Sequence, residues 1–479
     1  MLFNSVDFTI FLPVVFVLYW FVTQKNLKAQ NILLLFASYF FYAYWDYRFL
    51  LLLVSSITLD FIIGKKIDRA GTAANRKLWL WLSVSLNLSV LGFFKYYNFF
   101  VLSFAHALAP IGINADVATL NLILPLGISF YTFHELSYII DIYRKKIKPV
   151  SSYVDYSLFV SFFPLLIAGP IERAGHLLPQ IQKKRVFNNN YAVDGLRQIL
   201  WGLFKKIVVA DNCGYYANLV FNNSSHYNGS AHVIGAVFFA IQIYGDFSGY
   251  SDIALGAARL LGFELYRNFA FPYFSRDIAE FWRRWHISLT SWFRDYVYVP
   301  LGGSRGSVWM QVRNVLLVFL ISGFWHGANF TFIVWGALNA LYYIPLLIFK
   351  RTRAHLDIVA KGRNLPTVSE LLGIITTFGL TVFAWIFFRA KSVHDALGYI
   401  SKIFSRSLFS RSGIGISPPL VLIVLLFIMM EWFGREQEYA IQKMYVKLPR
   451  ALRWSFYFVL MMMIITWDRR EQEFIYFHF

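Results

Sequence analysis

Apolar runs of membrane-spanning length recur along the 479-residue chain. A helix needs about 20 apolar residues to cross the hydrocarbon core of a bilayer. The pattern predicts membrane helices at 7–23, 30–45, 48–64, 78–95, 119–142, 231–250, 308–325, 329–349, 369–389, 419–433 and 452–467. Less regular apolar stretches follow at 97–110, 155–170 and 194–220. We therefore expect an all-α integral membrane protein, a polytopic helical bundle with roughly 11–13 membrane segments.

The composition excludes an ordinary soluble domain. Hydrophobic residues make up 58% of the chain and charged residues only 15%, against about 25% charged residues in soluble domains. A soluble protein of this length would need more polar surface than these residues can supply.

The basic residues indicate an orientation. The net charge is +19, and its lysines and arginines cluster between apolar runs, as in cytoplasmic loops under the positive-inside rule. With these loops inside, we expect a multi-pass protein whose N-terminus is extracytoplasmic. The same distribution argues against a nucleic-acid partner. The clusters are Lys65-Lys66, Arg144-Lys145-Lys146, Lys183-Lys184-Arg185 and Lys350-Arg351.

Between about 160 and 310 the regular alternation of spans and loops fails. Backbone that is not helical is tolerated at membrane depth only inside protein or along a water-filled cavity. This stretch predicts broken or re-entrant helices around a central tunnel. We expect one domain over 1–479, with N-terminal spans in 1–150, a core in 151–350 and C-terminal spans in 351–479. The interrupting residues are Pro164, Gly169-Pro170, Gly245, Gly249, Pro272, Pro300 and Gly302-Gly303.

His326 is the first candidate for chemistry. It follows the apolar run 308–325, within Ser322–Ala328. Ionisable residues inside a membrane are costly and usually functional. An imidazole, with a pKa of about 6.5, can take a proton from an attacking hydroxyl near neutral pH. The alternative is a structural histidine that is hydrogen-bonded across helices.

His286 lies in a segment that interleaves aromatic and basic residues, Phe281–Ser288. One interpretation is an amphipathic interfacial helix with its tryptophans at the headgroup level. The other is a site in which Arg283, Arg284 and Arg294 meet an anionic substrate, such as the phosphates of coenzyme A. The two interpretations are compatible. Further candidates for substrate or donor binding are Trp285, Asp246, Ser248, Trp325 and Asn329.

Several carboxylates fall in apolar segments, where they would form a proton relay or structural ion pairs. A relay would favour a transporter, but the chain has no internal repeat of the inverted-repeat kind. We favour structural pairing with basic residues such as Arg259, Arg144 and Arg173. The acids are Asp246, Asp252, Glu135, Asp141 and Glu172.

Other chemistries lack support in the sequence. Gly302–Gly306 matches G-x-S-x-G, but a nucleophile elbow needs a strand before it and a helix after it, and this motif follows Pro300 in a glycine-rich loop. The single cysteine, Cys213, excludes an intrachain disulfide framework and a cysteine metal cluster. We expect no bound cofactor and no metal.

Short motifs from near residue 1 to the C-terminus occur in the order of one family. They are Asn31–Ala43, Leu124–Phe133, Ala168–Ile171, Tyr244–Asp252, Phe281–Asp295, Ser322–Ala328, Ala384–Ala390 and Glu473–Phe477. Together they resemble the membrane-bound O-acyltransferase (MBOAT) superfamily, specifically its bacterial alginate O-acetyltransferase branch. His134 departs from that pattern, and we assign it no role.

The resemblance implies catalytic roles for His326, the near-universal histidine of the family, and for His286. It also implies a cytoplasmic acyl donor, acetyl-coenzyme A or a related acyl thioester, whose acyl group passes through the membrane interior. The implied acceptor is an extracytoplasmic polysaccharide such as alginate. The implied partners are a periplasmic or extracellular acetyltransferase, a polysaccharide synthesis complex and membrane lipid.

Three alternatives remain open. Within the enzyme class, the runner-up is transfer of D-alanine or another acyl group to a cell-wall polymer. A secondary transporter or polysaccharide exporter would use the buried carboxylates, and Asp246 or Asp252 would then be essential. A non-catalytic scaffold would not need His326.

Overall fold

The computed structural model describes residues 1–111, 119–444, 448–467 and 472–475. Its regular elements over these ranges are all helical, and the prediction of an all-α membrane protein is confirmed. The chain divides into two compact units. The first comprises Met1–Gly195 and Ala257–Tyr266, and the second comprises Leu196–Gly256 and Arg267–Phe479.

The first unit is built from eight helices and the start of a ninth. Their bounds are α1 Val6–Val17, α2 Leu27–Ala43, α3 Tyr47–Arg69, α4 Ala73–Leu108, α5 Ile128–Tyr143, α6 Tyr153–Ser161, α7 Phe163–Leu166, α8 Ala174–Ile181 and α9 Asn189–Leu203. Side-chain oxygens of Asn26, Asp46 and Thr72 accept backbone N–H bonds at the starts of α2, α3 and α4. These N-caps fix where the long helices begin.

Hydrogen bonds between side chains hold the first unit together in its apolar interior. Asp60 on α3 accepts from Ser83 at 2.5 Å and from Asn87 at 2.8 Å, both on α4. The buried Glu135 on α5 accepts from Ser56 of α3 at 2.7 Å. Buried polar groups are costly unless they are hydrogen-bonded. These two acids therefore act as ties between helices.

The second unit contains the end of α9 and the remaining helices. They are α10 Asp211–Asn222, α11 Gly229–Leu260, α12 Ile278–Arg284, α13 Ile287–Phe293, α14 Val308–His326, α15 Phe330–Ile348, α16 Val368–Arg389, α17 Val393–Ile403, α18 Pro418–Gly434 and α19 Arg450–Thr466. The last few residues of α11 belong to the first unit. A π-helical segment, Phe204–Ala210, links α9 to α10.

The predicted interruption at Gly245 and Gly249 is wrong, because α11 runs unbroken through both. A Cβ on Gly249 would lie 2.8 Å from the backbone oxygen of Gly202, and a Cβ on Gly202 would lie 2.6 Å from the oxygen of Gly249. These glycines therefore allow α9 and α11 to pack closely, as small residues do between membrane helices. The predicted breaks at Pro272 and Pro300 do fall outside regular α-helix.

Six helices in the described ranges are long and apolar enough to cross a membrane: Tyr47–Arg69, Ala73–Ile111, Gly229–Leu260, Val308–His326, Phe330–Ile348 and Val368–Arg389. Shorter apolar helices occupy Val6–Val22 and Pro418–Gly434. The predicted span 119–142 contains a shorter helix, because Gly127 takes a left-handed conformation (φ 73°) and α5 begins only at Ile128. The protein is a multi-pass membrane protein. The central tunnel and the three-part division of the chain stay predictions.

Candidate functional site

His326 is the last residue of α14, and its side chain is buried. The next residue, Gly327, packs so tightly against Phe332 that a Cβ would lie 2.1 Å from the phenyl ring. A Cβ on Gly323 would likewise lie 2.3 Å from the Phe332 backbone oxygen, and one on Gly336 would lie 2.4 Å from that of Phe319. Small residues thus draw α14 and α15 together and fix His326 at their junction.

An aromatic enclosure surrounds the imidazole of His326. The ring centroid lies 4.8 Å from that of Trp325, 5.1 Å from that of Trp335 and 5.3 Å from that of Phe388. Trp335 also stacks on Trp385 at 5.7 Å. These aromatic rings keep water away from the imidazole of His326, which strengthens the electrostatic interactions around it.

His286 connects α12 to α13 with φ 42° and ψ 55°. This left-handed conformation is uncommon for residues other than glycine. The side chain is 1% exposed. Its ring lies 4.7 Å from Phe247 and 6.5 Å from Trp325, measured between centroids. His286 and His326 therefore pack near the same indole, that of Trp325. The structure brings together two histidines that lie 40 positions apart in sequence.

Asn268 braces the segment that follows His286. Its backbone oxygen accepts from the N–H of Ile287 at 2.9 Å, and its side chain accepts from Ser288 at 2.6 Å. Its amide nitrogen donates to Ser251 at 2.9 Å. Sequence reasoning missed Asn268, because a single asparagine outside a recognisable motif gives no signal.

The arginines near His286 engage the protein itself. Arg283 donates to the backbone oxygens of Thr352 at 2.6 Å and His355 at 2.7 Å. Arg284 pairs with the buried Glu280 at 2.8 Å. The Arg283 bonds join α12 to the chain that follows α15, whereas the Arg284–Glu280 pair lies within α12. Their expected role in donor binding stays a prediction.

The other candidates near the histidines occupy separate surroundings. Arg294 lies at the surface beside Asp295, at 2.8 Å. Trp285 is buried, with its ring centroid 5.1 Å from that of Trp385. Asn329 caps α15 by accepting from the N–H of Thr331, and it donates to the backbone oxygen of Lys391 at 2.8 Å. Trp285 thus helps to build the aromatic wall, whereas Asn329 fixes the start of a helix.

Asp246 and Ser248 belong to a buried charged network. The ammonium of Lys206 lies 2.7 Å from the carboxylates of both Asp246 and Asp211. Lys205 pairs with Asp252 at 2.5 Å and donates to Ser248 at 2.9 Å. The sequence predicts structural pairing with arginines, among them Arg259. The pairing exists, but lysines provide the positive charge at Asp246 and Asp252, while Arg259 pairs with Asp194.

Sequence reasoning missed the two lysines, although a signal was present. Lys205 and Lys206 interrupt an apolar stretch, 194–220, where a positive charge needs a partner. For metal binding, the described residues hold no cluster of three or more histidine, cysteine or acidic side chains placed to bind an ion.

The long apolar helices define a polytopic membrane protein. The two buried histidines that lie near Trp325 define its candidate site. The family model for MBOAT, the membrane-bound O-acyltransferase family, matches residues 143–387, which include both histidines. The chain belongs to this family and is an acyltransferase.

Relatives extend the similarity over most of the chain. The probable alginate O-acetylase AlgI of Pseudomonas aeruginosa is 39% identical over 456 residues, or 94% of this chain and 84% of the relative. The peptidoglycan O-acetyltransferase of Helicobacter pylori is 37% identical over 426 residues, or 83% and 78%. The teichoic acid D-alanyltransferase of Bacillus subtilis is 27% identical over 289 residues, or 57% and 71%. The predicted resemblance is confirmed.

Proposed function

We propose that this membrane O-acyltransferase moves an acetyl group from a cytoplasmic acyl thioester, of the acetyl-coenzyme A type, across the membrane. The acetyl group is then used for O-acetylation of an extracytoplasmic polysaccharide such as alginate. The observation that carries the proposal is the packing of His286 and His326 near Trp325, inside an aromatic enclosure. The names of two relatives, an alginate O-acetylase and a peptidoglycan O-acetyltransferase, support acetyl as the group transferred.

The chemistry follows from what imidazole can do in a dry pocket. His326 takes the proton from the attacking hydroxyl of the acyl acceptor. The oxygen of that hydroxyl bonds to the carbonyl carbon of the thioester. The tetrahedral intermediate collapses and the carbon–sulfur bond breaks. His326 then gives the proton to the leaving thiolate. The neutral ring of His286 donates a hydrogen bond to the developing oxyanion. General acid–base catalysis of this kind contributes about 10²–10⁴-fold in rate.

The remaining candidates take supporting roles in this proposal. Trp325 and Trp285 form apolar walls that exclude water from the ester. Arg283, Arg284 and Arg294 attract an anionic donor toward the site. Asp246, Ser248 and Asn329 hold the elements around the site in place. The thioester acts as a substrate, and no bound cofactor takes part.

The location and the partners follow from the same scheme. We place the protein in the inner membrane with its N-terminus extracytoplasmic and its donor on the cytoplasmic side. A periplasmic or extracellular acetyltransferase completes the transfer beside a polysaccharide synthesis complex. Membrane lipid surrounds the exposed apolar helix faces, such as those that carry Phe36 and Leu372.

A second candidate is transfer of D-alanine to a cell-wall polymer. The observation in its favour is the similarity to a teichoic acid D-alanyltransferase. That match covers 57% of this chain, against 94% for the alginate O-acetylase. Acetyl transfer is therefore the better supported proposal.

The buried carboxylates give less support to a transporter. Asp246 and Asp252 each lie within 2.7 Å of a lysine ammonium. An acid engaged in this way supports the fold and is poorly placed to carry protons or ions. The structural role is therefore the simpler interpretation of both residues.

Membranes that contain the protein test the proposal when they are supplied with labelled acetyl-coenzyme A or with a labelled D-alanyl thioester. We expect acetyl label to reach extracytoplasmic glycan, and D-alanyl label to remain in the donor. Transfer of D-alanine alone would replace the first candidate by the second. Label transport without ester formation would contradict both.

A further inference from the structure

A cavity of about 400 Å³ in the second unit is rich in positive charge. Four of its lining residues are cations and two are carboxylates, so the formal charge of the lining is positive. The cations are Arg267, Arg284, Arg435 and Lys443, and the carboxylates are Glu436 and Glu438. A cavity with this lining favours an anionic ligand.

Two of these cations are occupied by the protein. The Arg435 guanidinium donates to the backbone oxygens of Val359 and Ala360, at 2.9 and 2.7 Å. Arg284 pairs with the buried Glu280 at 2.8 Å. These two arginines therefore shape the wall of the cavity and add positive charge to it.

Arg267 differs from Arg284 and Arg435. Over the part of the chain that the structure describes, its guanidinium makes no hydrogen bond. Burial lowers the pKa of Arg267, while the carboxylate of Glu438 raises it and the charge of Arg284 lowers it. Arg267 thus holds all five N–H donors available to a ligand in the cavity.

A second cavity shares Arg267 and Glu438 with the basic one. Its lining includes Asn268 and Phe269. Asn268 binds the residues that follow His286. Phe269 packs against Phe247 at 5.0 Å, and Phe247 packs against His286 at 4.7 Å. Arg267 is therefore connected to the surroundings of His286 through Asn268 and Phe269, which follow it in the chain.

The chain around Arg267 also indicates the side of the membrane. Three residues earlier, Glu264 donates its N–H to Gln180 at 2.8 Å. Gln180 shortly precedes the basic cluster Lys183-Lys184-Arg185, for which the positive-inside rule predicts a cytoplasmic position. The sequence-based orientation thus predicts a cytoplasmic position for Glu264, three residues before Arg267 in the chain.

We propose that Arg267, with Lys443, binds the phosphate of a phosphopantetheine thioester. This inference rests on the proposed function and names the part of the donor that the protein recognises. Arginine suits the task because its planar donors bind two phosphate oxygens at once. Coenzyme A and a carrier protein with a phosphopantetheine arm share this phosphate, and both are sources that the site would accept.

Two small donors that differ only in the phosphate test the proposal: acetyl-4′-phosphopantetheine and acetyl-pantetheine. For Arg267→Gln we expect KM for the phosphorylated donor to rise about tenfold or more. Its kcat should stay unchanged, as should KM for acetyl-pantetheine. Lys443→Gln should act in the same direction but less strongly. Arg267→Lys should recover part of the affinity, and Arg411→Gln, outside the cavity, should behave as wild type.

Each other result has a defined meaning. An equal rise in KM for both donors, or no rise for either, would overturn the assignment of Arg267. If wild type transfers acetyl from neither donor, nor from acetyl-coenzyme A or an acetylated carrier protein, the proposed function itself fails. A defect of Arg267→Gln that appears with acetyl-coenzyme A or with the carrier protein supports the site and identifies the source of the phosphate.

Discussion

At the scale of single residues, His286 combines strain with burial. Holding a residue other than glycine in a sparsely populated backbone conformation costs about 1–3 kcal/mol of free energy. His286 adopts one (φ 42°), and its ring is sealed against Phe247. The surrounding structure holds this conformation through the hydrogen bond from Ile287 to the Asn268 backbone. Strain of this kind clusters at functional sites, which agrees with the proposed role of His286.

A pair of substitutions at His286 separates the backbone from the chemistry. Asparagine tolerates the left-handed conformation and keeps a polar side chain, but it cannot act as an imidazole. We expect His286→Asn to fold and to lose about 10²-fold or more in acetyl transfer. His286→Val should lower the midpoint of thermal unfolding, because a β-branched residue disfavours this backbone. Full activity in folded His286→Asn would exclude a catalytic role.

At the scale of secondary-structure elements, Lys206 links three separate parts of the second unit. It lies in the π-helical segment and pairs with Asp211 of α10 and Asp246 of α11. It also donates to the backbone oxygen of Gln472 at 2.9 Å. Asp246 in turn accepts from the N–H of Ile475 at 2.7 Å. One buried ammonium thus holds two helices and the segment 472–475 together.

This arrangement predicts that the two ends of the Lys206–Asp246 pair respond differently to substitution. Lys206→Met leaves two carboxylates buried without their cation, and breaking a buried pair in this way costs about 3–5 kcal/mol. Asp246→Asn leaves Lys206 balanced by Asp211, so it should cost less. We expect poor expression of Lys206→Met and near-normal acetyl transfer by Asp246→Asn. Loss of all function in a well-folded Asp246→Asn protein would favour the transporter.

The crossing of α14 and α15 depends on glycine. A Cβ on Gly336 would lie 2.4 Å from the backbone oxygen of Phe319, whereas nothing lies within 4 Å of a Cβ on Gly379 of α16. Gly336→Ala should therefore destabilise the protein by about 1–3 kcal/mol and displace His326. Gly379→Ala is the control and should be neutral or slightly stabilising. Equal unfolding midpoints for the two variants would show that stability does not depend on the close packing of α14 and α15.

At the scale of the whole molecule, the sequence predicts a polytopic α-helical membrane protein and the family because both signals are local. Long apolar runs and short motifs do not depend on distant contacts. The unbroken course of α11 through Gly249 does depend on them, since the helix is held by close packing with Gly202. The same applies to Lys206. Its partner Asp211 is near in sequence, but its partner Asp246 is brought to it only by the fold.

Parts of the candidate site could likewise be predicted from the sequence, and other parts could not. His326 and His286 could be selected from their motifs, but their shared contact with Trp325 is visible only in three dimensions. The left-handed backbone of His286 has no sequence signature, because such a conformation is fixed by the residues packed around it. The final two residues of the motif Glu473–Phe477 lie outside the described ranges.

The central claim is that His326 carries the acyl-transfer chemistry, and one comparison tests it directly. Acetyl transfer from labelled acetyl-coenzyme A to extracytoplasmic glycan is measured for wild type, His326→Ala and His394→Ala at equal expression. His394 is an exposed histidine on α17 and serves as the control. We predict a fall of about 10²–10⁴-fold for His326→Ala and unchanged transfer for His394→Ala. Transfer by His326→Ala at the wild-type rate would contradict the account.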